Sequence, residues 1–325
     1  MTFIEKKSHY RRVFVVGLFL LLIIIITAAN FGVANISFKQ TTLIVMSKIP
    51  IVNKFISLEG IKSTSVIILL NLRLPRILLA CLVGAALSVV GTSFQGIFKN
   101  PMADPFVLGV SSGAALGATI TMVFLKESHL FGMSMIAMSA FIGAIITTFL
   151  VYNIARVGTK VPVTTLLLAG VAINYLLSSI ISLMMTFNRD NIEEIVMWTM
   201  GSFSTAGWNE VVLLFIIIVP SIIFISAFSR DLNVMMLGED SARSLGIDVN
   251  GFKKYIFVIS TLMVAAVVSV SGIIGFVGLI VPHAIRMIFG SDNRIVVPFS
   301  ALFGAVFLII CDTLARVIVP PSEIP

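Results

Sequence analysis

Residues able to do chemistry are few in this chain of 325: two Cys, three His and 15 Asp+Glu. No clustered catalytic set such as HExxH or a Ser/His pair occurs, so the sequence assigns no catalytic residue. Gly158-Thr159-Lys160 has the ending of a phosphate-binding loop but lacks the upstream glycine at the required spacing. Cys81 and Cys311 stand alone inside apolar runs, without CxxC or Cys/His spacing. They read as small packing residues rather than a disulfide framework or a zinc site, and no metal ligand set is assigned. Two groups of charge stand out. The first is the segment 229–254, the most polar of the chain. It carries Glu239, Asp240 and Arg243 among the apolar Leu237, Ala242 and Leu245, with Gly238 and Gly246 as turns at either end. Such a segment is a solvated loop or a docking patch. The second is Arg73, Arg76 and Arg316, at the ends of apolar runs. An arginine at the bilayer centre is costly, so helix ends are where it belongs. There it snorkels to headgroups or offers its planar fork to a carboxylate.

The elements that must position these residues follow from composition. The chain is 58% hydrophobic and 11% charged, with mean hydropathy +1.10. A soluble domain has about 25% charged residues, so neither a soluble enzyme nor a disordered chain fits. Continuous apolar runs such as 13–29 and 211–228 exclude the alternating pattern of a transmembrane barrel. The expected fold is all-α and polytopic. About nine transmembrane helices are predicted: 12–31, 75–98, 106–125, 132–155, 162–187, 209–228, 255–273, a short one ending near Phe289, and 295–318. An amphipathic stretch at 41–49 and a short helix at 191–201 are expected at the outer surface. Lys99-Asn100-Pro101 ends the second helix, because proline disfavours helix at the residue before it.

Net charge is +7, carried by short loops between apolar runs, which points to topology rather than nucleic acid. Lys6, Lys7, Arg11 and Arg12 precede a first run long enough to span, predicting a retained helix with a cytoplasmic N-terminus. More than half of the 22 basic residues then fall on the inner side, while the three arginines fall on the outer side and weaken the pattern. Trp198 and Trp208 flank the outer end of the sixth helix as interfacial anchors. The segment 83–91 matches 264–272 at an offset of 181 that also brings Pro101 onto Pro282. With the two copies running in opposite directions, this suggests an inverted repeat.

Several ordered motifs carry a family resemblance: Leu72-Arg73-Leu74-Pro75-Arg76, Asn100-Pro101-Met102-Ala103-Asp104-Pro105, Leu108-Gly109-Val110-Ser111-Ser112-Gly113-Ala114, Leu167-Leu168-Ala169-Gly170-Val171, Gly238-Glu239-Asp240 and Gly275-Phe276-Val277-Gly278 with Val281-Pro282-His283. From about residue 65 to the end the chain resembles the FecCD-type permeases, membrane subunits of ABC importers for iron-siderophores, haem and vitamin B12. The resemblance implies one permease domain over 1–325 with the inverted-repeat type II importer fold. It implies a multi-pass protein of the bacterial cytoplasmic membrane, in contact with lipid and not with nucleic acid. Its partners would be a second permease subunit, homo- or heterodimeric, two cytoplasmic ATPases and an extracytoplasmic substrate-binding protein. No cofactor is expected on this chain, since ATP and Mg would bind the ATPases, and the chain is no enzyme by itself.

Residue by residue, the resemblance makes Leu237, Gly238, Glu239, Asp240, Ala242, Arg243, Leu245 and Gly246 the ATPase dock. Arg73, Arg76 and Arg316 would receive acidic residues from the two lobes of the binding protein. Asn100, Pro101, Met102, Val163 and Thr164 would narrow the cytoplasmic end of the path. The Gly/Ala/Ser-rich fifth helix either lines that path or simply packs closely. Family members continue after a motif like 321–325 with a tenth helix, so the resemblance predicts that this last helix is absent here. The expected cargo is an iron-siderophore, with haem or cobalamin as the alternative. An ion-coupled secondary transporter is the rival from another class. It needs ionisable groups within the spans, and the one acid deep in a predicted span is Asp312, near the outer end of the ninth helix.

Overall fold

The computed structural model describes residues 3–32, 34, 36–48, 60–125, 129–130, 133–158, 161–319 and 324. Thr159, Lys160 and, of the motif at 321–325, all but position 324 lie outside the described residues. The described chain is helical but for a two-residue strand pair, β1 (His129–Leu130) with β2 (Met133–Ser134). Among the described residues seven helices are long and apolar enough to cross a membrane, and two shorter apolar helices bring the set to the predicted nine.

In chain order, α1 spans Phe3–Asn30 and α2, the predicted amphipathic stretch, spans Phe38–Met46. Next, α3 (Ser63–Ile67), a π-turn (Ile68–Arg73) and α4 (Leu74–Phe98) run on as one helix, which therefore begins well before Pro75. A 3-10 turn (Pro105–Leu108) leads to α5 (Val110–Phe124), α6 (Met135–Ala155) and α7 (Val163–Phe187). The short helix α8 (Ile192–Met200) and the span α9 (Trp208–Ala227) follow. The polar segment folds as α10 (Ser229–Leu237) and α11 (Glu239–Ser244), while its last residues already belong to α12 (Val249–Ser271). Last come α13 (Val277–Phe289) and α14 (Asn293–Val317).

The centre of the bundle is α4, buried along most of its length and packed by α9, α12, α13 and α14. Close approach is possible because the contacts are glycine on glycine. A Cβ on Gly84 would stand 2.1 Å from Gly304 O, and one on Gly91 would stand 1.7 Å from Gly278 O. Without a hydrophobic drive between helices in lipid, such small-residue contacts let backbones meet and give van der Waals packing its full value. Gly113 and Gly117, a GxxxG pair on α5, meet α6 in the same way at Gly143 and Ser139.

The offset-181 correspondence does not match element to element. Gly91 lies inside α4, whereas Gly272 ends α12 with φ 67°. Pro101 lies in the turn after α4, whereas Pro282 lies inside α13. The two stretches share the small residues that close packing requires, in α4 and α12, while the glycine and proline positions fall at different points of the two elements.

Candidate functional site

At the end of the bundle where α4 finishes, α10 and α11 form a two-helix bracket. Gly238, at φ 139°, makes the corner between them. α11 stops in a Schellman motif: Ile247 N donates to Ala242 O at 3.0 Å and Gly246 N to Arg243 O at 3.0 Å, with Gly246 at φ 84°. Both glycines are therefore the turns the sequence predicted. Of the three apolar residues only Ala242 is buried; Leu237 and Leu245 are 74% and 66% exposed and point away from the bundle. Asp240 and Arg243 are exposed too. Glu239 turns the other way, to Lys253 on α12 at 2.5 Å, with its second oxygen 3.7 Å from Arg243 Nη2.

Further bonds, which the sequence did not suggest, brace the bracket. Asn233 on α10 donates to Asp292 Oδ1 at 2.7 Å and accepts from Asn293 N at 2.7 Å, fastening α10 to the start of α14. Arg286 on α13 donates to Thr92 O and to Asn293 Oδ1. These partners lie some 60 residues or more apart in sequence in most cases, so no local pattern could announce them.

The carboxylates here are held ionised. The Lys253 hydrogen bond, with further charge from Lys253, Arg243 and Lys99, outweighs burial and keeps Glu239 below its ordinary value. Asp292 is held down to about 2, first by Arg294 and then by Asn233. A carboxylate whose pKa is depressed on folding contributes stability above its unfolded pKa and loses it as pH falls through the folded value. The Asp292 contribution is thus full above 3.8 and disappears toward about 2. Asp292→Asn is expected to lower the melting temperature in detergent by a constant amount at neutral pH. The gap to the parent protein should close only as the pH falls below 3.8. Thermal unfolding of both proteins across pH checks this; a gap that closes near neutrality would contradict it.

The turn after α4 starts with Lys99 at φ 50°, and Asn100 Oδ1 accepts from Met102 N at 2.9 Å. Asn100, Pro101 and Met102 are exposed, with Val163 half-buried and Thr164 exposed at the start of α7. The two stretches are joined through the 3-10 turn, which Asp104 caps by accepting from Phe106 N at 2.8 Å. α7 lies across that turn, with Gly170 so close that a Cβ would stand 2.2 Å from Val107 O. Asn174 Oδ1 accepts from Ser112 Oγ at 2.5 Å alongside. The small residues of α7 thus divide. Ala169 and Gly170 are buried packing residues, whereas Ala172, Ser178 and Ser179 share an exposed surface with Tyr175.

The three arginines lie at the other end of the 25-residue α4, roughly 37 Å away. They do not present free forks. Arg73, Arg76 and Arg316 are 6%, 9% and 6% exposed. Arg73 donates to Ala29 O at 2.8 Å and Ala34 O at 2.5 Å, tying down the link between α1 and α2. Asp312, itself buried, receives Arg76 Nε at 2.8 Å and lies 3.1 Å from Arg316 Nε. Within this chain the arginines are met by its own groups: Asp312 supplies counter-charge and the carbonyls after α1 accept from Arg73. Arg73 is the last residue of the π-turn. Leu74 N donates to Leu69 O, and the next carbonyl, Leu70 O, would need the N–H that Pro75 lacks. Trp208 Nε1 takes that carbonyl at 2.9 Å, so this tryptophan closes a helix as well as sitting at the bundle's rim. Beside the pair lies a cleft of about 240 Å³, lined by Arg76, Asp312, Cys311, Ser202 and Gly275 among others.

Among the described residues no three His, Cys, Asp or Glu gather as a metal site. His283 is exposed on α13.

A bundle of apolar spans around a glycine-packed central helix, with a braced polar bracket at one end, defines a multi-pass membrane protein. The model of the FecCD transport family matches residues 20–325, and the chain belongs to that family. It is accordingly a permease subunit of ABC transporters. It is 43% identical to the ABC transporter permease protein YvrB of Bacillus subtilis, over 79% of this chain and 73% of that one. It is 41% identical to the cobalamin import system permease protein BtuC of Halobacterium salinarum, over 79% and 69%. It is also 41% identical to the hemin transport system permease protein HmuU of Yersinia pestis, over 79% and 77%. Among solved structures, a metal-chelate type ABC transporter in an inward-facing conformation superposes with TM-score 0.81. That match has 29% identity and covers 97% of this chain and 93% of that one.

Proposed function

We propose that this chain is the permease of an ATP-driven importer that carries a large metal chelate or tetrapyrrole across the cell membrane. It works as a dimer with two cytoplasmic ATPases and an extracytoplasmic binding protein. An iron-siderophore is the first choice of cargo. The cobalamin and hemin systems among the relatives support the wider class equally. The observation that carries this reading is the α10–α11 bracket. It turns two leucines outward, at 74% and 66% exposure, on a base braced to α12 and α14. Large apolar side chains held rigidly away from the bundle are the anchors of a protein interface rather than of a solvated loop. The bracket is cytoplasmic in this reading, with the N-terminus on the same side. Asn100, Pro101, Met102, Val163 and Thr164 then surround the inner mouth of the path, and the exposed face of α7 lines it. The rival ion-coupled transporter gains nothing from Asp312, whose carboxylate is engaged by two arginines.

Leu237→Glu with Leu245→Glu is expected to abolish co-purification of the ATPase while leaving the melting temperature of the permease unchanged, because neither side chain packs against the fold. ATPase retained at the level of the parent protein would overturn the docking assignment. For the cargo, the ligand that co-purifies with the cognate binding protein decides among ferric siderophore, haem and cobalamin.

A further inference from the structure

Glu239 is the first residue of α11 and belongs by sequence to the docking motif, yet its carboxylate faces its own protein. Lys253 Nζ meets it at 2.5 Å, and Lys253 is only 18% exposed whereas Glu239 is 43% exposed. Lys99, at the left-handed end of α4, reaches the same corner: its Nζ stands 3.8 Å from where a Cβ on Gly238 would lie. The bracket is thus held at one point to α12 and set beside the turn that leads into Asn100, Pro101 and Met102.

Lys253 has a second surface. With Phe94, Phe98, Tyr152, Phe257 and Val163 it lines a small cavity of about 40 Å³. The rings form one connected set across three helices. Phe94 stacks on Phe98 at 5.3 Å, Tyr152 meets Phe257 at 5.1 Å, and Phe94 lies 6.4 Å from Phe257. Val163 begins α7, so this box joins α4, α6, α7 and α12 at the inner mouth, and among the described residues Lys253 is its one charged wall residue.

We infer that Glu239 and Lys253 form a latch through which a displacement of the α10–α11 bracket is passed to the aromatic box and Val163 at the inner mouth. The physical reason is stiffness. Ala242 and the Schellman turn make α11 a rigid piece, and an ion pair bridging it to a helix of the core transmits displacement that a flexible loop would absorb. The spare volume of the box leaves α7 room to shift against α4 and α12. In this assignment Glu239 is a positioning residue and Leu237 and Leu245 meet the partner. The latch rests on the importer reading, and its test is divided so that the two fail separately.

In the reconstituted transporter, Lys253→Met is expected to keep ATPase association but to lower cargo moved per ATP hydrolysed about tenfold, the scale of an ordinary coupling free energy. Exchanging the charges, Glu239→Lys with Lys253→Glu, is expected to restore most of that ratio. An unchanged ratio in Lys253→Met, or no recovery in the exchange, overturns the latch. The permease alone supplies a readout that needs no ATPase. With Cys81 and Cys311 replaced, a cysteine introduced by Val163→Cys is labelled by a water-soluble thiol reagent. Lys253→Met is expected to raise its labelling rate several-fold, and the charge exchange to return it. An unchanged rate overturns the latch whatever the partners prove to be. A parent protein that binds no ATPase but shows the labelling change overturns the importer reading and leaves the latch standing.

Discussion

Asp312→Ala is expected to cost the permease about 3–5 kcal/mol of stability, the usual penalty for removing one partner of a buried ion pair. Arg76 and Arg316 are 9% and 6% exposed, and both would lose the carboxylate that now sits 2.8 and 3.1 Å from them. The two guanidinium groups would be left facing each other without the carboxylate between them, so the cost appears as a loosened junction between α4 and α14. Arg316 also donates to Phe31 O at 3.2 Å, so the link to α1 should loosen with it. Thermal unfolding in detergent reads the effect, and an Asp312→Ala protein that melts with the parent would refute it. A triple variant, Arg76→Leu, Asp312→Leu and Arg316→Leu, is expected to recover most of the loss, because apolar replacement of a whole buried ion group is commonly neutral or stabilising. That variant also tests the docking role that the family resemblance implies for these arginines. If it folds and still transports cargo at the rate of the parent, a binding protein does not need them.

Gly91→Leu is expected to prevent assembly of the bundle. Its Cβ would stand 1.7 Å from Gly278 O, a backbone atom that no rotamer change can clear. To admit it, α4 and α13 must separate, and they share more than this contact: Gln95 Nε2 donates to Leu279 O at 3.2 Å one turn further on. Overpacking a well-packed interior costs about 1–3 kcal/mol where side chains can shift, and more where only backbone can. Gly96→Ala is the control on the same helix. Its nearest neighbour would be Leu232 Cδ2 at 3.6 Å, ordinary contact, and alanine favours helix over glycine. Membrane yield and gel filtration separate the two. A monodisperse Gly91→Leu protein with the parent melting temperature would refute the packing account.

Much of the architecture was legible in the residues alone. Apolar runs marked all nine spanning or near-spanning helices, and Gly238 and Gly246 marked both ends of α11, since hydrophobic length and turn chemistry act within a few residues. The polar segment 229–254 was legible in position but not in orientation. Leu237, Leu245 and Glu239 lie within eight positions of one another, yet two face outward and one inward. Polarity alone predicts the reverse, and it misleads because Lys253, from the next helix, offers the carboxylate a partner inside.

By itself the sequence determined that this is a multi-pass helical membrane protein, where its apolar runs lie, and that its most polar segment falls between α9 and α12. The tertiary structure decided which charges face whom. Arg76 meets Asp312 across 236 residues of chain, and Arg73 meets the carbonyls after α1. The reason is one of range: burial of an apolar run is fixed by the residues themselves, whereas a charge at a helix end takes whichever partner the packing of α4 against α14 brings within reach.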